Sequence, residues 1–390
     1  MKRATVCGLG VSYAGMMCLA IGLNLLPVFL TTLGVDLGGG SGLTNEQLGR
    51  LGGIMFAGLV AGILVTGPLA DRVGSKPFTI IGNGLIALGL LLLGLAPGYG
   101  MACAAVFVLG LGAGILDMVL SPIVCALQPE HRTAAMNWLH SFYCTGAVLT
   151  VLISSLALWL GVNWRTLSLW LTAVPTLVAL AFVPMRMPAL VADGAARTRL
   201  RDLMRKSYFL IALGALFLGG ATEAGLAQWL PAYAEKSLGY SKWFAGLALL
   251  FFSLAMAIAR ITAGMVGRRL NPFALLLGCC VGSVFLFIVG CFAPWPVVAL
   301  AACMAVGITG SCLWPSTLGV VADHYPHGGA SMFGMLSAFG NIGCVFMPWG
   351  VGVVADWSTM RWGLSTATLC PLLMVFLVLK LRRIGPEPLS

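Results

Sequence analysis

Charge is what this sequence has least of. Asp, Glu, Lys and Arg together make up 9% of its 390 residues, while 59% are hydrophobic. A soluble chain carries roughly 25% charged residues, so a soluble globular protein is excluded. Metal-binding spacing is missing too. The twelve cysteines are scattered, Cys279 and Cys280 are the only close pair, and no CxxC or Cys/His cluster occurs. They read as small core residues, and no metal or cofactor is expected. There is no GxxxxGK[ST] phosphate loop, which excludes ATP hydrolysis by this chain. Nothing assembles a nucleophile, a base and an oxyanion hole, so an enzyme is not expected. The opening stretch is expected to be the first transmembrane helix and not a cleavable leader. The opening stretch "MKRATVCGLGVSYAGMMCLAIGLNLLPVFL" has too long an apolar run and no clean small-residue cleavage site.

What is present is a series of apolar runs of about twenty residues, the length that spans a bilayer as a helix. Twelve are expected, over approximately 5–30, 47–66, 78–96, 101–126, 136–160, 166–184, 208–232, 243–266, 272–292, 296–321, 331–355 and 363–381. The fold class is therefore an all-α membrane protein with the lipid bilayer as its surroundings. The 51 glycines fit that class, because small residues let membrane helices approach closely. The net charge of +10 is explained by topology, with no nucleic-acid partner required. Sixteen Lys and Arg fall on one set of loops and ends and five on the other, with Arg260, near the inner end of span 8, left out of the tally. The positive-inside rule then puts both termini in the cytoplasm.

The longest polar interruption, "RMPALVADGAARTRLRDLMRKSY", divides the spans six and six. The expected organisation is a first six-helix bundle over 1–185, a basic cytoplasmic linker over 186–207 and a second bundle over 208–390. Its charges serve as tether and topology signal, and they also suit anionic lipid. The halves are related at a constant offset of 197: Gly67 falls on Gly264, Pro129 on Pro326, Phe142 on Phe339 and Gly146 on Gly343. Two parallel six-helix repeats are a known transporter architecture.

The loop after span 2 reads "GPLADRVGSKP". It resembles the loop between helices 2 and 3 of the major facilitator superfamily, and "GMVGRRLNP", Gly264 to Pro272, is a degenerate second copy. In that family the loop helps latch the two halves, which assigns a conformational latch to Gly67, Asp71, Arg72 and Gly74; Ser75 stands where many members have Arg. "GAGILDMVLSPIVCALQPEHRTAAMNWLHSFYCTGA", "TEAGLAQWLPAY" and "LWPSTLGV" are further similar to the fucose permease-like sugar:proton symporters. One departure is clear: where fucose permease carries an acid in helix 1, this chain has Leu23 and Asn24 before Leu25-Leu26-Pro27. The resemblance implies secondary active transport by alternating access, with a sugar and protons as partners, in a monomer of the bacterial plasma membrane. Span 5 lacks the "GPxxGG" pattern, and span 4 the embedded Arg, of the superfamily's drug antiporters. An exporter of amphipathic compounds, a sodium-coupled or uncoupled sugar carrier and a non-transporting receptor remain as alternatives.

Of the twelve acids only Asp117 and Glu223 fall within spans. A carboxylate at the bilayer centre costs at least about 2.5–3.5 kcal/mol, so such residues face a bundle interior or a watery cavity. Both fit a proton- or substrate-handling role and equally a hydrogen-bonded structural one, and no Lys or Arg stands close in sequence to either. His140 joins them as a proton relay or a packing residue. Solute contacts are expected from Asn24, Asn137, Gln228, Trp229, Trp314 and Asn341, whose amides and aromatic faces suit hydroxyls and sugar C–H surfaces. Trp229 also fits an interface anchor and Asn137 a helix start. Trp314-Pro315 is expected to kink span 10.

Overall fold

A bilayer interior offers no water to peptide groups, and a helix satisfies its own. The apolar runs fold accordingly. A computed structural model of the chain describes residues 2–128, 132–185, 187, 200–266, 271–325 and 329–384. Among the described residues there is no strand, and twelve spans are long and apolar enough to cross a membrane.

The chain divides into two compact units, Met1–Leu43 with Ile54–Gly194, and Thr44–Gly53 with Ala195–Ser390. The first holds α1 (Lys2–Leu37), most of α2 (Asn45–Val73), α3 (Lys76–Gly94), α4 (Tyr99–Leu127), α5 (Arg132–Trp159), α6 (Trp164–Leu171) and α7 (Ala173–Phe182). The second holds the start of α2, the short α8 (Leu200–Leu203), then α9 (Ser207–Lys236), α10 (Lys242–Val266), α11 (Pro272–Phe292), α12 (Pro296–Gly310), α13 (Leu313–His324), α14 (Gly329–Trp357), α15 (Met360–Ser365) and α16 (Leu369–Ile384). The linker residues 188–199 lie outside the described residues.

Three of the spans are broken helices: α6–α7, α12–α13 and α15–α16. The cause is the same in each. Proline has no N–H to give to the carbonyl four residues back. Four back from Pro175, Pro315 and Pro371 stand Leu171, Ser311 and Ala367; α6 ends at Leu171, α12 at Gly310 just before Ser311, and α15 at Ser365, where a 3-10 turn over Thr366–Thr368 takes over. The expected kink at Trp314-Pro315 is therefore a break centred on Ser311 and Cys312. Helices α1, α4, α9 and α14 run through their internal prolines.

Glycine sets the tightest crossings. In the first unit Gly146 of α5 lies against α1, where a Cβ would stand 2.9 Å from Met17 Cα and from Ala20 Cβ. In the second, Gly343 of α14 lies against α9, where a Cβ would stand 2.9 Å from the Phe217 carbonyl carbon and 3.0 Å from Ala221 N. These two glycines are partners at the offset of 197, so the repeat pairs equivalent helix crossings. Phe142 stacks on Tyr13, with ring centroids 4.7 Å apart, and Phe339 packs on the core of its own unit. Pro129 and Pro326 lie outside the described residues, as do the surroundings of Gly264.

α1 continues to Leu37, past the apolar run that marks it in the sequence. Its end is clamped: Asp36 accepts from Trp164 Nε1 at 2.6 Å and meets Arg165 Nη1 at 3.4 Å, while the guanidinium lies over the Trp164 ring. In the second unit Asp356, near the end of α14, accepts from the N–H groups of Asn45 and Glu46 at 2.8 and 2.7 Å. That is an N-cap for α2 supplied from a distant part of the chain, satisfying donors a helix start leaves open.

The crossing at Gly343 gives a direct test. Gly343→Ala forces α14 away from α9 and should cost about 1–3 kcal/mol, as overpacking does. Gly350, on the same helix, has nothing within 4 Å of its Cβ position, so Gly350→Ala should leave stability unchanged or slightly raised. Thermal unfolding in detergent micelles reads the difference.

Candidate functional site

The break in span 10 organises the site. Pro315 leaves the Ser311 carbonyl without its helical donor, and Arg260 of α10 supplies one, Nε to O at 3.3 Å. The same guanidinium holds Glu223 of α9, Nη2 to Oε2 at 3.1 Å. An arginine placed in an apolar helix thus finds both a carbonyl exposed by the break and a carboxylate. The pair is not sealed: the two side chains are 30% and 25% exposed.

Trp314 completes the arrangement. A Cβ on Gly340 of α14 would collide with its indole ring, and one on Gly220 of α9 would stand 3.0 Å from its Cζ3. The indole therefore fills a notch that only glycines leave open. Gly220 and Glu223 are three residues apart on α9 and share a face, so the partly buried ring sits one turn from the carboxylate. Cys344 Sγ lies 3.4 Å from the Gly220 carbonyl. Chemically the site offers one carboxylate that can take a proton and one guanidinium that cannot lose its own, with the Trp314 ring packed one turn away.

The remaining candidates are placed as follows. Gln228 is 3% exposed, lies against Gly52, and its Nε2 has no hydrogen-bond partner among the described residues. Trp229 is fully buried and donates from Nε1 to the Pro348 carbonyl at 2.9 Å; here it is a packing residue that ties α9 to α14. Asn341 is 8% exposed, with Nδ2 bonded to the Ser337 carbonyl. In the first unit Asn24, partly buried on α1, donates to the Ala20 carbonyl at 2.9 Å and faces the Tyr143 hydroxyl of α5 at 3.5 Å. Asp117 is partly buried on α4, and among the described residues no hydrogen bond or ion pair reaches it. His140 is exposed on α5. The side chain of Asn137 lies outside the described residues, and so do those of Asp71 and Arg72. Gly74 has φ +88°, a left-handed turn between α2 and α3 that suits glycine alone. Gly67 faces Met118, whose Cε would stand 3.3 Å from a Cβ there. Among the described residues no cluster of three His, Cys, Asp or Glu suits a metal ion.

Arg260 is the residue that reading the sequence missed as part of the site. A signal was available. Within the spans of the second half, Glu223 is the one acid found, and an arginine nearly two turns from the end of α10 calls for an anion from another helix.

Twelve spans, three of them broken, and two units with matching glycine crossings are joined by a family match. The sequence profile of the Major Facilitator Superfamily matches residues 12–305 and 245–390. The chain belongs to the Major Facilitator Superfamily. Similar members include a probable nitrate/nitrite transporter of Mycobacterium tuberculosis, 26% identical, covering 76% of each chain. A gentisate transporter of Corynebacterium glutamicum is 26% identical over 81% of this chain and 74% of its own. A multidrug resistance protein of Salmonella paratyphi C is 27% identical over 70% and 67%. The chain is thus a multi-pass membrane transporter of this superfamily. The narrower likeness to sugar symporters finds no counterpart in these names.

Two outcomes follow from the pairing. Glu223→Gln takes the carboxylate away from a guanidinium that stays charged, whereas Arg260→Gln leaves an acid that can neutralise itself with a proton. Glu223→Gln should therefore destabilise more, by about 1–3 kcal/mol given the partial exposure of the pair, and the double substitution should recover most of the loss in thermal unfolding. Pro315→Ala restores an N–H for the Ser311 carbonyl and should straighten span 10, displacing Arg260. Hydrogen exchange should then show the amide at position 315 protected.

Proposed function

We propose that this transporter is a proton-coupled symporter of a sugar or similar polyhydroxylated solute, working by alternating access, with Glu223 as the residue that carries the proton. The observation that carries the reading is the Glu223–Arg260 pair, held at 3.1 Å and partly open. Of that pair only the carboxylate can bind a proton and lose its charge; the guanidinium keeps its own. Protonation of Glu223 removes the attraction between α9 and α10 while Arg260 keeps its hold on the Ser311 carbonyl. A proton thus has a different free energy in the paired and unpaired arrangements, which is what lets it shift a conformational equilibrium.

In this reading Asp117 is a second proton site and His140 a relay. Asn24, Asn137, Trp314 and Asn341 are the proposed solute contacts, together with Gln228 and Trp229, which are buried in this structure. Gly67, Asp71, Arg72 and Gly74 form the conformational latch. The protein works as a monomer in a bacterial plasma membrane, both termini cytoplasmic. The relatives' names run from nitrate and gentisate to multidrug resistance; they support transport and leave the solute class to the site.

Uptake into proteoliposomes tests it, using neutral and acidic sugars and an imposed inward proton gradient. Wild-type protein should accumulate at least one of them, and a protonophore should abolish the accumulation. Glu223→Gln should lose accumulation at least tenfold while keeping solute exchange across the membrane at zero gradient. Accumulation that survives the substitution would remove Glu223 from coupling and leave Asp117 to carry it.

A further inference from the structure

A buried amide without a partner is a standing cost, because it has given up water and gained no hydrogen bond. Gln228 is in that position: it is 3% exposed, and its Nε2 meets no acceptor among the described residues. What covers it is the start of α2. A Cβ on Gly52 would stand 2.9 Å from Gln228 Cδ and 3.0 Å from Nε2, so the helix backbone lies directly on the amide. We infer that Gln228 is a solute-binding amide closed off in this conformation by the first turns of α2, and that Asp356 is the catch holding this cover down. This rests on the transport reading given above, in which hydroxyls of the solute are recognised.

The cover is built to dock and to part. Thr44–Gly53 belong to the second unit, while the same helix continues in the first from Ile54. Gly49, Gly52 and Gly53 fall at helical spacing on one face of this strip, and its close approaches are glycine to backbone. A Cβ on Gly49 would stand 3.0 Å from the Pro348 carbonyl carbon, and one on Gly53 2.7 Å from the Val345 carbonyl oxygen. Gly352 of α14 answers from the other side, where a Cβ would stand 3.1 Å from Glu46 Cα. The polar contacts sit where water reaches. The exposed Asp356 accepts from the N–H groups of Asn45 and Glu46 at 2.8 and 2.7 Å, and the exposed Trp349 donates from Nε1 to Glu46 Oε1 at 2.6 Å. Water takes over each of these bonds when the strip lifts, so the catch releases at little cost, and the unpaired Gln228 tilts the balance toward release.

With the strip lifted, a solute hydroxyl oxygen accepts the bond from Nε2 that no protein group takes here. Glutamine offers a donor and an acceptor together, the pair that adjacent hydroxyls match. Solute and cover therefore compete for the same amide. The affinity measured on the whole population is the intrinsic one scaled by the fraction that is open. Loosening the cover should then tighten binding, and fastening it should weaken binding.

Two measurements on the purified full chain in detergent test this: hydrogen exchange at Asn45 and Glu46, and equilibrium binding of glucose, galactose, xylose and mannitol. The first N–H groups of a helix have no carbonyl of their own helix to bond, so exchange at these two amides reads the catch. Gln228→Met keeps the length of the side chain and removes the unpaired donor. It should slow exchange at both amides at least about threefold, raise the midpoint of thermal unfolding by about 1–2 °C, and weaken binding of the sugar that wild type takes at least about tenfold. A residue present only for packing gives the opposite sign in the first two. Asp356→Ala should tighten binding at least about threefold. Asp356→Asn, which keeps one acceptor and guards against misfolding, should fall between it and wild type. Unchanged binding in Gln228→Met removes the amide from the site and overturns the inference. Weaker binding in both Asp356 variants makes the cap plain scaffold and overturns the cover. If wild type binds none of the four probes while Gln228→Met slows exchange and raises the midpoint, the sugar reading fails and the cover stands. Unchanged or faster exchange in Gln228→Met overturns the cover whatever the probes do.

Discussion

A peptide carbonyl without a donor is tolerable in water and expensive in a bilayer, and that constraint accounts for the irregular part of this protein. Pro315 cannot bond to Ser311. The carbonyl so exposed could have been left to a water molecule or a hydroxyl. Here it is met by Arg260, a side chain that brings a permanent charge. That charge in turn needs an anion, and Glu223 answers it. One missing N–H thus orders a chain of compensations running from α13 through α10 to α9. The functional chemistry sits on the last of them.

The regular part answers a different demand. Lipid tails are as apolar as leucine, so burying leucine between helices gains little in a membrane, and packing must come from close approach. Glycine allows it. At Gly146 and Gly343 the backbones themselves touch, and at Gly220 and Gly340 the space is given to an indole ring. The first pair builds scaffold and the second builds site, from the same residue type and for the same steric reason.

Much of this was legible in the sequence. The apolar runs located the twelve spans, because membrane length is a property of composition. The offset of 197 found Gly146 and Gly343, and the structure shows why those two matched: both occupy crossings that exclude a Cβ. Pro315 was readable as a disturbance in span 10, since proline's defect is local. What stayed hidden depends on rotation and distance between helices. Trp229 and Gln228 follow Glu223 closely in sequence, yet both turn inward and are buried. The Arg260–Glu223 pair bridges 37 residues, and nothing in either neighbourhood names the other. Asp356 capping the start of α2 is a contact over some three hundred positions that no local pattern predicts.

Glu223 and Arg260 stand on consecutive helices, α9 and α10, with only Ser237–Ser241 between those helices. That proximity bears on biogenesis. A helix inserted alone with either charge would present it to lipid at a cost of about 2.5–3.5 kcal/mol. Two helices entering as a hairpin carry cation and anion together and can neutralise them before any other span arrives. The pair that serves the finished transporter is thereby also the pair that lets its seventh and eighth spans enter the membrane as one piece.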